Sequence, residues 1–197
     1  MTPARSILRV VTMLCALMSY GCSTVDIRPN VERIEIADAV YLTLPKTEEI
    51  TDSLDATQVL VVDFEEQSYS FQAQLEVRPG KITIAAIPMW GGTLFSVTYD
   101  GSTLRTQGMI DTRGVNVGFL LADVLLTFWD PAWVSTRLQG AVLELSENNG
   151  RRTISRDGEP VIEISYESAN RWAGRTHFKH RERGYELNIK TVGFFGS

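Results

Sequence analysis

The chain has 197 residues, with 24 acidic side chains, 19 basic side chains and a formal net charge of −5. Without Arg5 and Arg9, which lie in a predicted leader peptide, 17 basic side chains remain against the same 24 acidic ones. This acidic balance argues against nucleic-acid binding, because domains that bind nucleic acids are typically basic. The length suits a single domain with a sizeable apolar core.

The first 21 residues have the pattern of a cleavable secretory signal. Arg5 and Arg9 make the start basic, and residues 10–18 form an apolar run. This run is too short to span a bilayer, because a membrane-spanning helix needs about 20 apolar residues. The predicted leader therefore ends at Gly21 and is not part of the folded domain.

Gly21-Cys22-Ser23 resembles the end of a bacterial lipoprotein signal. In that family the cysteine thiol receives a diacylglycerol, the peptide is cut before the cysteine, and the new amino terminus is acylated. The resemblance implies lipid attachment at Cys22, and Ser23 resembles the residue found in lipoproteins that are sent on to the outer membrane. We therefore expect a protein anchored to the outer membrane and facing the periplasm. The alternative is an ordinary secreted protein in which Cys22 is incidental.

Residues 22–33 are predicted to be the lipidated terminus and a tether, and residues 34–197 to be one domain. The segment 23–30 is polar and contains Pro29. The segment from Val31 to Pro45 fits either a short helix or a strand, and we favour a first strand near Ala39 to Leu44. The other cysteine, Cys15, lies in the leader, so we expect no disulfide in the domain.

After a predicted solvated loop at residues 47–56, apolar and polar side chains alternate. This period of two predicts antiparallel strands with one buried face. Pro79-Gly80 and Asp100-Gly101 are turn signals between them. The predicted strands cover residues 57–64, 69–77, 81–88, 93–100 and 102–107.

The segment from Asn116 to Leu138 breaks this alternation. Its apolar side chains recur every three or four residues, which predicts a helix that is buried over a broad face. Asp130-Pro131 should end this helix and begin a second one, because aspartate caps helices and proline suits the first helical turn.

Strands are predicted again after Gly140. Asn149-Gly150 and Asp157-Gly158 are the hairpin signals in this part of the chain. The predicted strands cover residues 141–147, 151–156, 160–167, 174–179 and 185–192. The sequence as a whole predicts about ten antiparallel strands with one helical insertion.

Several segments resemble a family of outer-membrane lipoproteins known only as a domain of unknown function. They are Tyr99-Asp100-Gly101, Leu120-Leu121-Ala122-Asp123 through Trp129, Gly158 to Tyr166, and Gly184-Tyr185-Glu186-Leu187-Asn188-Ile189. Members of that family occur beside aryl-polyene and fatty-acid-like biosynthesis genes. The family is in turn similar to LolB and LolA, the carriers that accept lipidated proteins and pass them to the outer membrane.

This resemblance implies a mainly β fold, in which an incomplete, curved antiparallel β-barrel has two helices as a plug or lid. The implied ligand is a lipid or an acylated molecule in an apolar concave cavity, delivered by a LolA-like periplasmic carrier or an exporter. The candidate cavity and lid residues are Phe119, Leu120, Leu121, Val124, Leu125, Phe128, Trp129 and Trp133. The alternative is a structural or assembly lipoprotein in which the same helices fill the core and partners bind to the outer face.

Met89 and Trp90 follow Pro88 between two predicted strands. In LolB an exposed apolar loop residue engages the membrane, and Met89 and Trp90 are candidates for the same contact because indole favours the water–lipid boundary. The alternative is a tryptophan buried in a turn.

Enzymatic chemistry has little support in the sequence. His177 and His180 are three residues apart in a predicted strand, so they should face opposite sides and not share a metal. The sequence contains no Gly-X-Ser-X-Gly, His-Glu-X-X-His or phosphate-loop motif, and we expect no catalytic residue, metal or cofactor. A lipid hydrolase is the least supported alternative.

A basic cluster lies near the C-terminal end of the chain. Its members are Arg175, Lys179, Arg181 and Arg183. They fit a solvated edge of the sheet, or a surface that attracts anionic headgroups.

Overall fold

The computed structural model describes residues 24–89, 91–108, 117–146 and 150–196. Fourteen strands and two α-helices lie in these ranges, together with one turn of 3-10 helix at Thr47–Glu49. The strands are β1 (Thr24–Arg28), β2 (Arg33–Ala37), β3 (Val40–Thr43), β4 (Leu54–Phe64), β5 (Gln67–Arg78), β6 (Lys81–Pro88), β7 (Phe95–Tyr99), β8 (Leu104–Gly108), β9 (Leu138–Gln139), β10 (Val142–Leu145), β11 (Arg151–Arg156), β12 (Glu159–Tyr166), β13 (Arg175–His180) and β14 (Tyr185–Gly196). The helices are α1 (Gly118–Phe128) and α2 (Pro131–Arg137).

Eleven of these strands form one main sheet in the order β1-β8-β7-β6-β5-β4-β14-β13-β12-β11-β10. Neighbouring strands are antiparallel, and the two ends of the order, β1 and β10, do not pair with each other. The described part of the sheet is therefore open and does not close into a barrel. A second, small sheet has the order β2-β3-β9. The predicted class, mainly β with a helical insertion, is confirmed.

Alternation along the strands gives the main sheet one buried face. On β4, Leu54, Ala56, Gln58 and Leu60 are buried, while the residues between them are exposed or half-buried. The same alternation continues on β5, β6 and β13. Successive side chains of a strand point to opposite faces, so the buried residues of these strands line one continuous apolar surface.

The two helices lie in the predicted mid-chain segment. Asp130 caps α2, because its Oδ1 accepts hydrogen bonds from the backbone N–H groups of Ala132 (2.8 Å) and Trp133 (3.3 Å), and Pro131 occupies the first turn. The predicted break between the helices is confirmed. Among the described residues, no helix is long and apolar enough to span a membrane.

The N-terminal part of the fold differs from its prediction. Residues 24–28, assigned to the tether, form β1, which pairs along its whole length with β8 at one edge of the main sheet. Val25 and Ile27 are 61% and 50% exposed, so this edge strand buries few of its apolar side chains and is held mainly by its pairing with β8. The predicted strand at Ala39 to Leu44 is one half of a hairpin, β2–β3, with Ala39 at its turn in the left-handed region (φ 56°).

Candidate functional site

Helix α1 packs between the small sheet and the buried face of the main sheet. On one side of the helix, Leu121, Ala122, Leu125 and Leu126 are at most 1% exposed. The other side faces a cavity of about 30 Å³, which is room for about one water molecule. The main sheet contributes Gln58, Leu60, Ala73, Leu75, Ile84, Leu187 and Ile189 to its lining, and α1 contributes Leu120, Asp123, Val124, Thr127 and Phe128. The cavity is therefore mostly apolar.

The C-terminal end of α1 is fastened to the main sheet by side chains from β11 and β12. The guanidinium of Arg152 donates to the carbonyl oxygens of Leu126 (2.6 Å) and Trp129 (2.7 Å). The hydroxyl of Tyr166 donates to the carbonyl oxygen of Thr127 at 2.6 Å. Burial lowers the pKa of Arg152 to about 10, so the side chain stays cationic at neutral pH, at the helix end where the dipole is negative.

The middle of α1 carries a buried carboxyl group. Asp123 is 7% exposed, and the hydroxyl of Tyr185 in β14 donates to its Oδ2 at 2.6 Å. Burial raises the pKa of Asp123 to about 7, although the Tyr185 hydrogen bond and the charge of Arg183 act in the opposite direction. The pKa of Tyr185 is also raised, chiefly by its own burial. This carboxyl group therefore changes charge near neutral pH.

The first turn of α1 contacts the turn between β13 and β14. The guanidinium of Arg183 lies 3.1 Å from the centre of the Phe119 ring and donates to the carbonyl oxygen of Glu35 at 2.8 Å. A cation over an aromatic face is favourable. These contacts connect α1, β2 and the β13–β14 turn at one end of the main sheet.

His177 and His180 face opposite sides of β13, as predicted. Nε2 of His180 lies 2.8 Å from the carbonyl oxygen of Ile36, and the backbone N–H of Arg183 donates to its Nδ1 at 3.3 Å. His180 is 1% exposed, and burial lowers its pKa, so it is a neutral core residue. His177 lies 2.9 Å from Glu186 on the outer face. Within the described residues there is no cluster of three or more His, Cys, Asp or Glu side chains that could hold a metal ion.

The eight predicted cavity and lid residues have different surroundings. Leu120, Val124 and Phe128 line the cavity, and the first two are half-buried. Leu121 and Leu125 are buried elsewhere in the core and do not line it. The remaining three, Phe119, Trp129 and Trp133, are half-buried and pack against the core. The structure thus divides the set into residues at the cavity and residues that anchor the helices.

Of the two predicted membrane-contact residues, Met89 is 77% exposed and Trp90 lies outside the described residues. The neighbouring β4–β5 hairpin adds two exposed side chains that were not predicted as membrane contacts, Phe64 (44%) and Tyr69 (52%). Pairing of Phe71 with Pro88 places this hairpin and Met89 at the same end of the sheet. We call Phe64, Tyr69 and Met89 the exposed tips.

The chain enters the main sheet at this same end. Thr24, the first described residue, pairs with Gly108, which also pairs with Phe95 at the start of β7, directly after the turn that contains Met89. Cys22 lies two residues before Thr24 in the sequence. The first turn of α1 is at this end too, because Arg183 contacts Phe119 and Tyr185 pairs with Phe64.

A family model described as "Protein of unknown function (DUF3261)" matches residues 55–193, which is most of the chain. The chain belongs to this family. No curated protein matches the chain.

Similar arrangements occur in solved structures at low sequence identity. A LolA superfamily protein from Nitrosomonas europaea is 10% identical, with a TM-score of 0.46 over 75% of this chain and 89% of that one. A domain from Vibrio parahaemolyticus that is assigned to an outer membrane lipoprotein-sorting protein is 9% identical, with a TM-score of 0.45 over 76% of this chain and 87% of that one. A DUF1329 family protein from Desulfovibrio piger is 6% identical, with a TM-score of 0.35 over 75% of this chain and 86% of that one.

Three polar residues of the site, Asp123, Arg152 and Tyr185, were not predicted from the sequence. Asp123 had a signal, since it is the only charged side chain in residues 117–129. Arg152 had none, because an arginine in a strand is ordinarily solvent-exposed. Tyr185 was assigned to a predicted strand and to a segment that carries the family resemblance, but not to the site.

Proposed function

We propose that this protein is a non-enzymatic carrier that holds the acyl chains of a lipid or lipidated molecule between α1 and the main sheet. The observation that carries the proposal is the apolar cavity between them, with half-buried Leu120 and Val124 on its helix side. Each square ångström of apolar surface buried there contributes about 25 cal/mol, so an acyl chain binds without any covalent step.

Binding requires α1 to move. The cavity of about 30 Å³ is far smaller than the roughly 300–1,000 Å³ of ordinary ligand pockets. The C-terminal end of α1 is fixed by Arg152 and Tyr166, whereas Leu120 in its first turn and Val124 in its middle are only half-buried. We expect the N-terminal part of α1 to lift away from the sheet, which breaks the contacts of Arg183 with Phe119 and of Tyr185 with Asp123, while the end held by Arg152 stays in place.

The expected location is the inner leaflet of the outer membrane, with the domain in the periplasm. Lipid attached at Cys22 would hold the nearby end of the main sheet at the membrane. That end also carries the exposed tips and the first turn of α1. Cargo would thus enter and leave the cavity beside the membrane surface.

The resemblance to outer-membrane lipoproteins found beside aryl-polyene biosynthesis genes supports one cargo class and one kind of delivering partner. An aryl-polyene-type lipid is the favoured cargo, and a LolA-like periplasmic carrier or an exporter is the favoured partner. Aryl-polyene lipids and acylated molecules both carry long apolar chains, which suit the mostly apolar lining of the cavity.

A second candidate is a structural or assembly lipoprotein. The small volume of the cavity favours it, because α1 already fills most of the space over the sheet. In that case partners bind to the outer face and α1 does not move.

Native mass spectrometry with lipid extraction separates the two candidates. The protein is expressed in the periplasm from residue 23 onward, without the acyl anchor. The carrier proposal predicts a co-purifying acyl or polyene species at about one per chain, or uptake of about one molecule of added fatty acid per chain. A mass of the protein alone, with no uptake, would favour the assembly role.

A further inference from the structure

A groove of about 550 Å³ lies on the outer face of the main sheet, opposite α1. It crosses β4, β14, β13 and β12, and its lining includes Val59, Val61, Arg175, His177 and Lys190. On β13 the buried residues are Thr176, Phe178 and His180, so the alternate side chains point to this outer face. The groove therefore opens on the side of the sheet opposite the cavity under α1, and Ile189 borders both.

Two cations lie directly opposite each other in this groove. Arg175 pairs with Lys190 in the register of β13 and β14. Like charges at directly opposite positions of an antiparallel pair are destabilising. In the described part of the chain, neither side chain has a carboxylate partner.

Two neighbouring cations of this face, Lys179 and Arg181, are neutralised. Lys179 lies 2.5 Å from Glu186, which also lies 2.9 Å from His177. Arg181 donates to Glu163 at 2.6 Å. The groove's own acid, Glu167, accepts a hydrogen bond from the backbone N–H of Arg175 at 2.9 Å. Arg175 and Lys190 are therefore two adjacent cations whose charge an external anion would neutralise.

We infer that Arg175 and Lys190 bind one anionic group, a phosphate or a carboxylate, whose apolar tail lies along Val59 and Val61. The anion removes the repulsion between the two cations, and a guanidinium group binds such oxyanions in a bidentate manner. Both valines are half-buried on the outer face and border the same groove. The volume lies within the range of ordinary ligand pockets. The ligand is thus an anionic amphiphile.

The test measures binding of dodecyl phosphate, below its micelle concentration, to the purified full-length protein by calorimetry. Inorganic phosphate and dodecyl maltoside are the two comparison ligands. The double variant Arg175→Gln/Lys190→Gln should weaken dodecyl phosphate binding about tenfold or more, because charge-assisted contacts are lost. The control, Lys179→Gln/Arg181→Gln, removes two cations from the same face and should leave binding within about twofold.

Each outcome either supports or overturns the inference. Equal binding of inorganic phosphate would overturn the role of the tail, and equal binding of dodecyl maltoside would overturn the role of the anion. Equal loss in both double variants would show general charge attraction instead of this site. The single variants Arg175→Gln and Lys190→Gln serve if the double variant does not fold.

Methyl resonances distinguish this groove from the cavity under α1. Dodecyl phosphate should shift the methyl signals of Val59 and Val61. Shifts confined to Leu120 and Val124 would overturn the groove and support the carrier proposal. Shifts at neither pair would also overturn the groove.

Discussion

The guanidinium group of Arg152 donates a hydrogen bond of 2.6 Å to the carbonyl oxygen of Leu126, in the last turn of α1. A second hydrogen bond from the same group reaches the carbonyl oxygen of Trp129 at 2.7 Å. A helix leaves its last carbonyl groups without partners inside the helix. Arg152 on β11 supplies hydrogen-bond donors to two such carbonyl groups. This is the connection that makes the C-terminal end of α1 a fixed point on the main sheet.

Replacing Arg152→Met should lower the free energy of unfolding by about 3 kcal/mol, because two buried carbonyl groups lose their donor. Urea unfolding followed by circular dichroism measures the change. The control is Arg151→Met, the neighbouring exposed arginine, which should change stability by less than about 0.5 kcal/mol. Equal effects of the two substitutions would show that the hydrogen bonds from Arg152 to α1 contribute nothing to the free energy of unfolding.

The buried carboxyl group of Asp123 predicts a pH dependence. Its pKa is about 7 in the folded protein, against about 3.9 in an unfolded chain. Between these values the folded state binds the extra proton, so this group destabilises the fold increasingly as the pH rises from about 4 to 7. The variant Asp123→Asn should therefore gain stability relative to the parent across this window.

Thermal unfolding from pH 4 to pH 8 tests this difference. The control Asp52→Asn changes an exposed carboxyl group and should follow the parent at each pH. If the difference between Asp123→Asn and the parent does not change with pH, Asp123 is not the titrating group.

The sequence predicted most of the strands and both helices, because their signals are local. The strands β4 to β8 and β11 to β14 carry alternation over several residues, and the Asp130-Pro131 break is a capping signal that needs no tertiary information. The strand β1 was missed, since Val25 and Ile27 are exposed and its pairing with β8 joins distant parts of the chain. The two-residue strand β9 likewise depends on its partner β3.

The site was predictable only in part. Leu120, Val124 and Phe128 share one helix face, so their spacing placed them together. Leu121 and Leu125 have the same spacing of four residues, however, so spacing does not tell which of the two faces lines the cavity. That depends on how α1 packs between the two sheets. The partners of the helix end, Arg152 and Tyr166, lie more than 20 residues away in sequence, and no local pattern connects them to it.

The exposed tips predict a membrane contact that does not depend on the acyl anchor. Replacing Phe64, Tyr69 and Met89 by serine should weaken binding of the anchor-free protein to phosphatidylethanolamine-rich vesicles by roughly tenfold or more, since three exposed apolar side chains no longer enter the interface. Vesicle sedimentation measures the bound fraction.

The matched control is Val142→Ser/Leu145→Ser. These residues are 64% and 44% exposed on β10, at the far edge of the main sheet. Their replacement should leave vesicle binding unchanged. A similar loss in both sets would mean that exposed apolar area in general, and not this end of the sheet, contacts the membrane.

The central claim is that an acyl chain binds between α1 and the main sheet, and uptake of a fluorescent fatty acid by Val124→Trp tests it most directly. The larger side chain at the cavity lining should occupy the space, so uptake should fall about tenfold or more while the fold is retained. The control Val142→Trp adds the same group at an exposed edge position and should bind like the parent. Unchanged uptake by a folded Val124→Trp protein, or no uptake by the parent, would contradict the account.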